Sequence, residues 1–229
     1  MIKEFKNFTI EYSDDDLTYI DELLQRFLYS QDKIMNFFNL KKLDRKVQIK
    51  IWNNVTEYEK YINSEMKRIF NVDNTMEDWE VGRAITTKTE SQIHILSYKE
   101  RIKRKGHQYD KIDDLIKVVQ HEFVHTCHEQ FKNYKDTLTW INEALATILS
   151  NQYDDITLVL DCTLDELLNG KVNYVRYNTL GKYLFENYDK KYILELAKNN
   201  ELLKQKTPII FEEAKEWTNQ NSTDINLNK

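Results

Sequence analysis

The chain has 229 residues, 41% hydrophobic and 31% charged, with a formal charge of −5. That composition describes a folded chain with one substantial core, and it excludes intrinsic disorder and the basic footprint of a nucleic-acid binder. No apolar run approaches membrane-spanning length, so no membrane partner is expected. Four glycines and one proline are too few for the tight turns of a sandwich or barrel, so helices should dominate.

The start, "MIKEFKNFTIEYSDDD", places lysines and acids where a secretory segment needs continuous apolar residues, which makes the cytoplasm the expected location. Cys127 and Cys162 are too few for a disulfide framework and read as two buried thiols. "FTIEYS" (residues 8–13) alternates as a strand does. The following "DDLTYIDELLQRFLYSQDKIMNFFNL" repeats apolar residues at helical spacing through Leu17, Ile20, Leu23, Leu24, Phe27 and Leu28. "KVQIKIW" (46–52) is a second strand, and Asn54 with Glu57 marks the start of a second helix. Two short strands at 83–87 and 92–97 then form a hairpin or an adjacent pair.

The basic run Lys99–Lys105 reads as a solvated loop, with an anionic-ligand patch as the alternative. From there the pattern is helical. "IDDLIKVVQHEFVHTCHEQF" forms one helix and "TLTWINEALATILSNQ" the next. Thr163 and Glu166 cap a short helix that Gly170 stops, and three further helical segments follow, the last opening at Pro208. The fold class is therefore α+β: a mixed β/α N-terminal lobe with a small sheet over about 1–112, an all-helical C-terminal lobe over about 113–220, and a polar tail at 221–229. No linker divides it, so one domain over 1–229 is expected. A monomer is the default, since nothing in the sequence fixes the oligomeric state.

His121, Glu122 and His125 form H-E-x-x-H. Two side chains four apart on a helix lie about 40° apart around the axis and about 6 Å along it, so both imidazoles reach one ion. A catalytic zinc needs three protein ligands, and His128, about 10 Å along the axis from His121, is too far to be the third. The next helix supplies Glu143, eighteen residues after His125, which a helical hairpin folds back onto the histidines; Ala144 and Ala146 beside it permit a close approach.

"HEFVH" on one helix with "WINEALA" on the next resembles the gluzincin zinc metallopeptidases, the group that includes thermolysin-like enzymes and zinc aminopeptidases. The resemblance implies a zincin-like architecture, one catalytic zinc held by His121, His125 and Glu143, Glu122 as general base, and a peptide or protein substrate. A weaker likeness in "YVRYNTLGKYLFENYD" (174–189) places Tyr174 where such enzymes carry an oxyanion-stabilising tyrosine, with Tyr177 in reserve. It also implies that "SQIHILSY" is the substrate-binding edge strand.

Two departures matter. The G-x-M-E-N motif that helps bind a free amino terminus is absent, which favours an endopeptidase over an aminopeptidase. Thr147 occupies the position of a thermolysin-type aspartate, so another group must orient a histidine. His94 reads as a surface histidine, His107 has no distinguishing feature, and Trp140 reads as packing. The alternative function is a catalytically idle protein of the same fold that recognises a partner through the cleft; a helical interaction protein with coincidental histidines is a third.

Overall fold

The computed structural model describes residues 1–73, 76–132, 137–154 and 156–227, with side chains as far as 221. The α+β class holds. A five-stranded mixed sheet in the order β1-β2-β3-β5-β4 is built from β1 (Ile2–Glu4), β2 (Phe8–Glu11), β3 (Val47–Trp52), β4 (Gly82–Thr86) and β5 (Ser91–Leu96). The strands β2, β3 and β5 run parallel, while β1 and β4 are antiparallel edges. Strand β1 is missing from the sequence reading because its Ile2 is exposed, which leaves no alternation to detect.

One face of the sheet carries Phe8, Ile10, Val47, Ile49, Ile51, Ile93 and Ile95, all buried. Helix α1 (Ile20–Phe37) and the long α4 (Ile112–Phe131) cover that face, with Phe27 packed edge-on to both Phe8 and Phe123. Leu17, assigned above to the apolar face of the first helix, is exposed; Ser13 caps a short 3₁₀ turn over Asp14–Asp16, and α1 begins after it. On the other face, α2 (Val55–Phe70) sets Tyr58 and Tyr61 against Trp52. Its start is capped as the sequence indicated, with Asn54 Oδ1 accepting from the Glu57 N–H at 3.0 Å.

Because β5 lies inside the sheet with elements over both faces, every one of its residues is buried. This overturns two expectations. The edge strand on this side of the sheet is β4, and "SQIHILSY" is interior. His94 is likewise not a surface histidine but only 4% exposed. Its Nδ1 accepts from the Trp52 indole N–H at 3.2 Å and its Nε2 meets Gln92 Oε1 at 2.8 Å, a pairing that suits the neutral ring.

The C-terminal half is helical: α3 (Tyr98–Arg101), α4, α5 (Thr139–Leu149), α6 (Leu164–Leu168), α7 (Tyr174–Asn187), α8 (Lys190–Lys198) and α9 (Asn200–Leu227). Thr163 and Glu166 cap α6 reciprocally, and Gly170 ends that segment at φ 66°. Pro208 lies inside α9 rather than at its start, since the helix begins at Asn200, capped by the preceding Asn199, whose side chain accepts from the Leu202 N–H at 3.1 Å. The backbone expected to be a polar tail is helical to Leu227. The turn expected between α4 and α5 has residues 133–136 outside the described residues.

Helix α7 lies close on α5, and Gly181 permits it. A Cβ at Gly181 would stand 2.5 Å from Ile148 Cγ1 and 2.9 Å from the Ala144 carbonyl oxygen, which is backbone and cannot step aside. Trp140 packs as expected, 1% exposed, with its indole N–H donating to Thr207 Oγ1 at 3.1 Å. Both cysteines are buried and free. Among the described residues no helix is long and apolar enough to cross a membrane.

Two outcomes follow. Gly181→Ala should destabilise the protein by about 1–3 kcal/mol in urea melts, overpacking outweighing the better helix propensity; an unchanged midpoint would refute the close-approach assignment. Burial holds His94 and His128 down to about 4, against an ordinary value of 6.5. Between those two values the unfolded chain takes up protons that the folded chain refuses, so stability is complete above the upper one and falls as the pH drops. The full window is worth roughly 3 kcal/mol per histidine. NMR titration of the His94 ring checks this, and a midpoint near 6.5 would contradict it.

Candidate metal centre

Helix α4 presents His121 and His125 one turn apart on the face turned toward α5, and α5 presents Glu143 from its second turn. The three side chains converge, Glu143 turning a different oxygen to each ring: His121 Nε2 to His125 Nε2 is 3.0 Å, His121 Nε2 to Glu143 Oε2 is 3.2 Å, and His125 Nε2 to Glu143 Oε1 is 3.6 Å. Ligands held at about 2.0–2.1 Å in tetrahedral directions around one ion are separated by about 3.3–3.4 Å; here one donor atom from each of the three side chains lies within 4.8 Å of the other two, close enough for all three to turn onto one ion. The donor set also fits: two imidazoles and a carboxylate are borderline-soft ligands of the kind zinc takes. Glu143 Oε2 is buried and has no hydrogen-bond partner, as a ligand oxygen reserved for an ion would be. Among the described residues, this is the one group of three or more His, Cys, Asp or Glu side chains arranged to hold a metal.

The electrostatics agree with the geometry. Burial would raise the Glu143 carboxyl, but the charges of His125 and His121 hold it well below the usual carboxylate range. Burial opposes the charge on His125, yet Glu143, Glu122 and Glu129 together push it up to about 9. The pocket thus favours positive charge at its centre.

A cleft of about 380 Å³ opens over these atoms, lined by His121, His125, Glu143, Glu122, Tyr174 and the whole of strand β4. Glu122, next to a ligand and turned off its direction by the helix, lines the same cleft. Gly82 is what lets the edge strand approach. A Cβ there would meet Val118 Cγ1 at 2.7 Å and Glu122 Oε1 at 3.2 Å. Tyr174 begins α7, and its ring stands edge-on to that of His121 at 5.7 Å between centroids and stacks on Tyr153 at 6.1 Å. Burial, then the nearby charges of Glu143 and Glu122, raise its phenol well above the ordinary value, so it stays a hydrogen-bond donor. Tyr177 is buried one turn further on and does not line the cleft.

The remaining sequence candidates fall outside the centre. His128 is buried, its Nε2 bonded to the Ala197 carbonyl at 2.8 Å and its ring stacked on Phe38. Cys127 is a core thiol raised by burial. The Thr147 hydroxyl donates to the Glu143 and Ala144 carbonyls, at 2.9 and 3.0 Å, and so orients no histidine. The sequence reading missed Glu80 and Arg83, which pair at 2.6 Å in the cleft wall, and Trp79 and Phe70 on its rim. Only Gly82, a lone glycine opening a strand pattern, gave a signal that could have been read.

Comparison with protein-family models, curated proteins and solved structures returns no match.

Metal analysis of the purified protein should find one zinc per chain, lost in His121→Ala, His125→Ala and Glu143→Ala. Zinc at a hundred times its Kd should raise wild-type stability by about 2.7 kcal/mol. Wild-type protein without stoichiometric metal and without a zinc-dependent shift in Tm would rule out this centre.

Proposed function

We propose that this protein is a zinc-dependent peptidase of the gluzincin kind, an endopeptidase with a zincin-like catalytic domain. One observation carries the reading: the convergence, in a single cleft, of three side chains able to hold one metal ion, the further carboxylate of Glu122 and the free edge of β4. His121, His125 and Glu143 would hold the ion, which when bound supplies Lewis acidity, acidifying water and polarising a carbonyl.

The chain's own groups do the rest. The outer edge of β4, with no strand on it among the described residues, offers backbone N–H and C=O groups to an extended peptide, which is thereby laid across the donor atoms. Glu122 takes a proton from the attacking water and delivers it to the leaving amine. The Tyr174 hydroxyl donates to the carbonyl oxygen as that oxygen gains negative charge. The absence from the sequence of the G-x-M-E-N motif, which helps bind a free amino terminus, favours cleavage within chains.

Digestion of a diverse peptide library tests the reading. Glu122→Gln should keep its zinc and lose at least a hundredfold in kcat. Tyr174→Phe should lose about a hundredfold in kcat with KM little changed, while Tyr177→Phe stays within a few fold of wild type. Full activity in Glu122→Gln would refute the mechanism. Zinc-loaded wild type that cleaves nothing would turn the reading toward a partner-binding protein of the same fold.

A further inference from the structure

A second cavity, of about 110 Å³, opens off the cleft at the metal centre and shares with it the walls formed by Trp79, Glu80, Gly82, His121, Glu122 and Tyr174, the Glu80 carboxylate being taken up by Arg83 at 2.6 Å. Its other wall includes Arg101, from the basic run that reads in the sequence as a solvated loop. That residue is turned inward and is 4% exposed. Two of its nitrogens are committed to one carboxylate oxygen: Nε donates to Asp110 Oδ2 at 2.5 Å, and Nη2 pairs with the same atom. His107 Nδ1 meets that oxygen too, at 2.7 Å, and His107 Nε2 meets the Trp79 carbonyl at 2.8 Å. Asp110 Oδ2 is thereby saturated and the assembly fixed in place. Arg101 Nη1 is left buried with no hydrogen-bond partner.

A buried guanidinium nitrogen without an acceptor is costly, and an acceptor brought in by a bound molecule removes that cost. Carboxylates are the acceptors guanidinium bonds best, through shorter and stronger charge-assisted bonds. The cavity has room for a short side chain or a chain terminus, and its shared walls place that group beside the bond to be cleaved.

We propose that this cavity is a carboxylate-binding subsite, in which Arg101 Nη1 receives a carboxylate of the substrate next to the scissile bond. The carboxylate comes either from an aspartate or glutamate side chain or from a free C-terminus. The proposal rests on the peptidase reading and names the class of substrate it selects. A site built to bond a polar group rejects analogues that lack it far more strongly than an apolar pocket rejects a smaller or larger side chain.

The test gives one random peptide library, in C-terminally free and amidated forms, to two zinc-loaded proteins. Wild type is read by sequencing the fragments, and Glu122→Gln by sequencing the peptides it retains. Aspartate or glutamate beside the cleaved bond should be favoured at least tenfold over asparagine or glutamine. If the chain terminus is the source, the free library should instead be favoured over the amidated one by a similar factor. Arg101→Gln should abolish the preference and Arg101→Lys keep part of it. The wild-type comparison stands by itself if these variants fail to fold. Cleavage with asparagine or an apolar residue preferred would overturn the subsite and leave the peptidase reading intact. Retention of carboxylate-bearing peptides without any cleavage would support the subsite and remove the peptidase reading. Neither cleavage nor preferential retention would overturn both.

Discussion

The structure turns on one requirement, that a carboxylate carried by α5 be held within 3.6 Å of two imidazoles carried by α4. Three polar groups confined this way, largely out of water, have no tendency to stay together through burial alone, because desolvation works against each charged form. They are held by what surrounds them. Ala144 and Ala146 flank Glu143 with small side chains, both fully buried. Behind them Gly181 lets α7 rest against the Ala144 carbonyl. The tight packing of these small residues fixes α5 at the depth where Glu143 reaches both histidines.

The same economy of side chains shapes the opposite wall. Strand β4 passes over α4 at Gly82, where any larger residue would press on Val118 and on Glu122 itself. The Glu122 carboxylate, the two histidines and a strand edge therefore share one cleft because a glycine allows the strand to close it. The aromatic ring of Tyr174 closes the cleft from the side of α7, leaning on Tyr153, a residue held at φ 62° in the left-handed region.

The helices of the C-terminal half were legible because their signals are local. Periodicity set the bounds of α4, the capping pair Thr163 and Glu166 set α6, and a spacing of four put His121 and His125 on one face. Glu143 was legible for a different reason: a metal needs a third ligand, and the next helix offered a carboxylate among small residues. What the sequence could not show was long-range order. Nothing local says that β5 lies inside the sheet and β4 at its edge, since both are short strands of similar pattern. His94 was misplaced for that reason, a polar residue looking like a surface one until a helix covers its face. The basic run around Arg101 misled in the same way. Its charges look solvated in sequence, and only folding turns Arg101 inward onto Asp110 and Arg104 onto Glu59. The backbone beyond Asn221 looked polar enough to fray, although it continues the turn pattern of α9.

Helix α7 carries Tyr174 at its first residue and Gly181 two turns later. One rigid rod thus both braces the helix that bears Glu143 and delivers the phenol beside His121. A shift of α7 along α5 would move brace and phenol by the same vector, so the spacing between the Glu143 carboxylate and the Tyr174 phenol cannot drift independently of the core. Gly181, with no atom in the cleft, is therefore one of the stricter gauges of its dimensions.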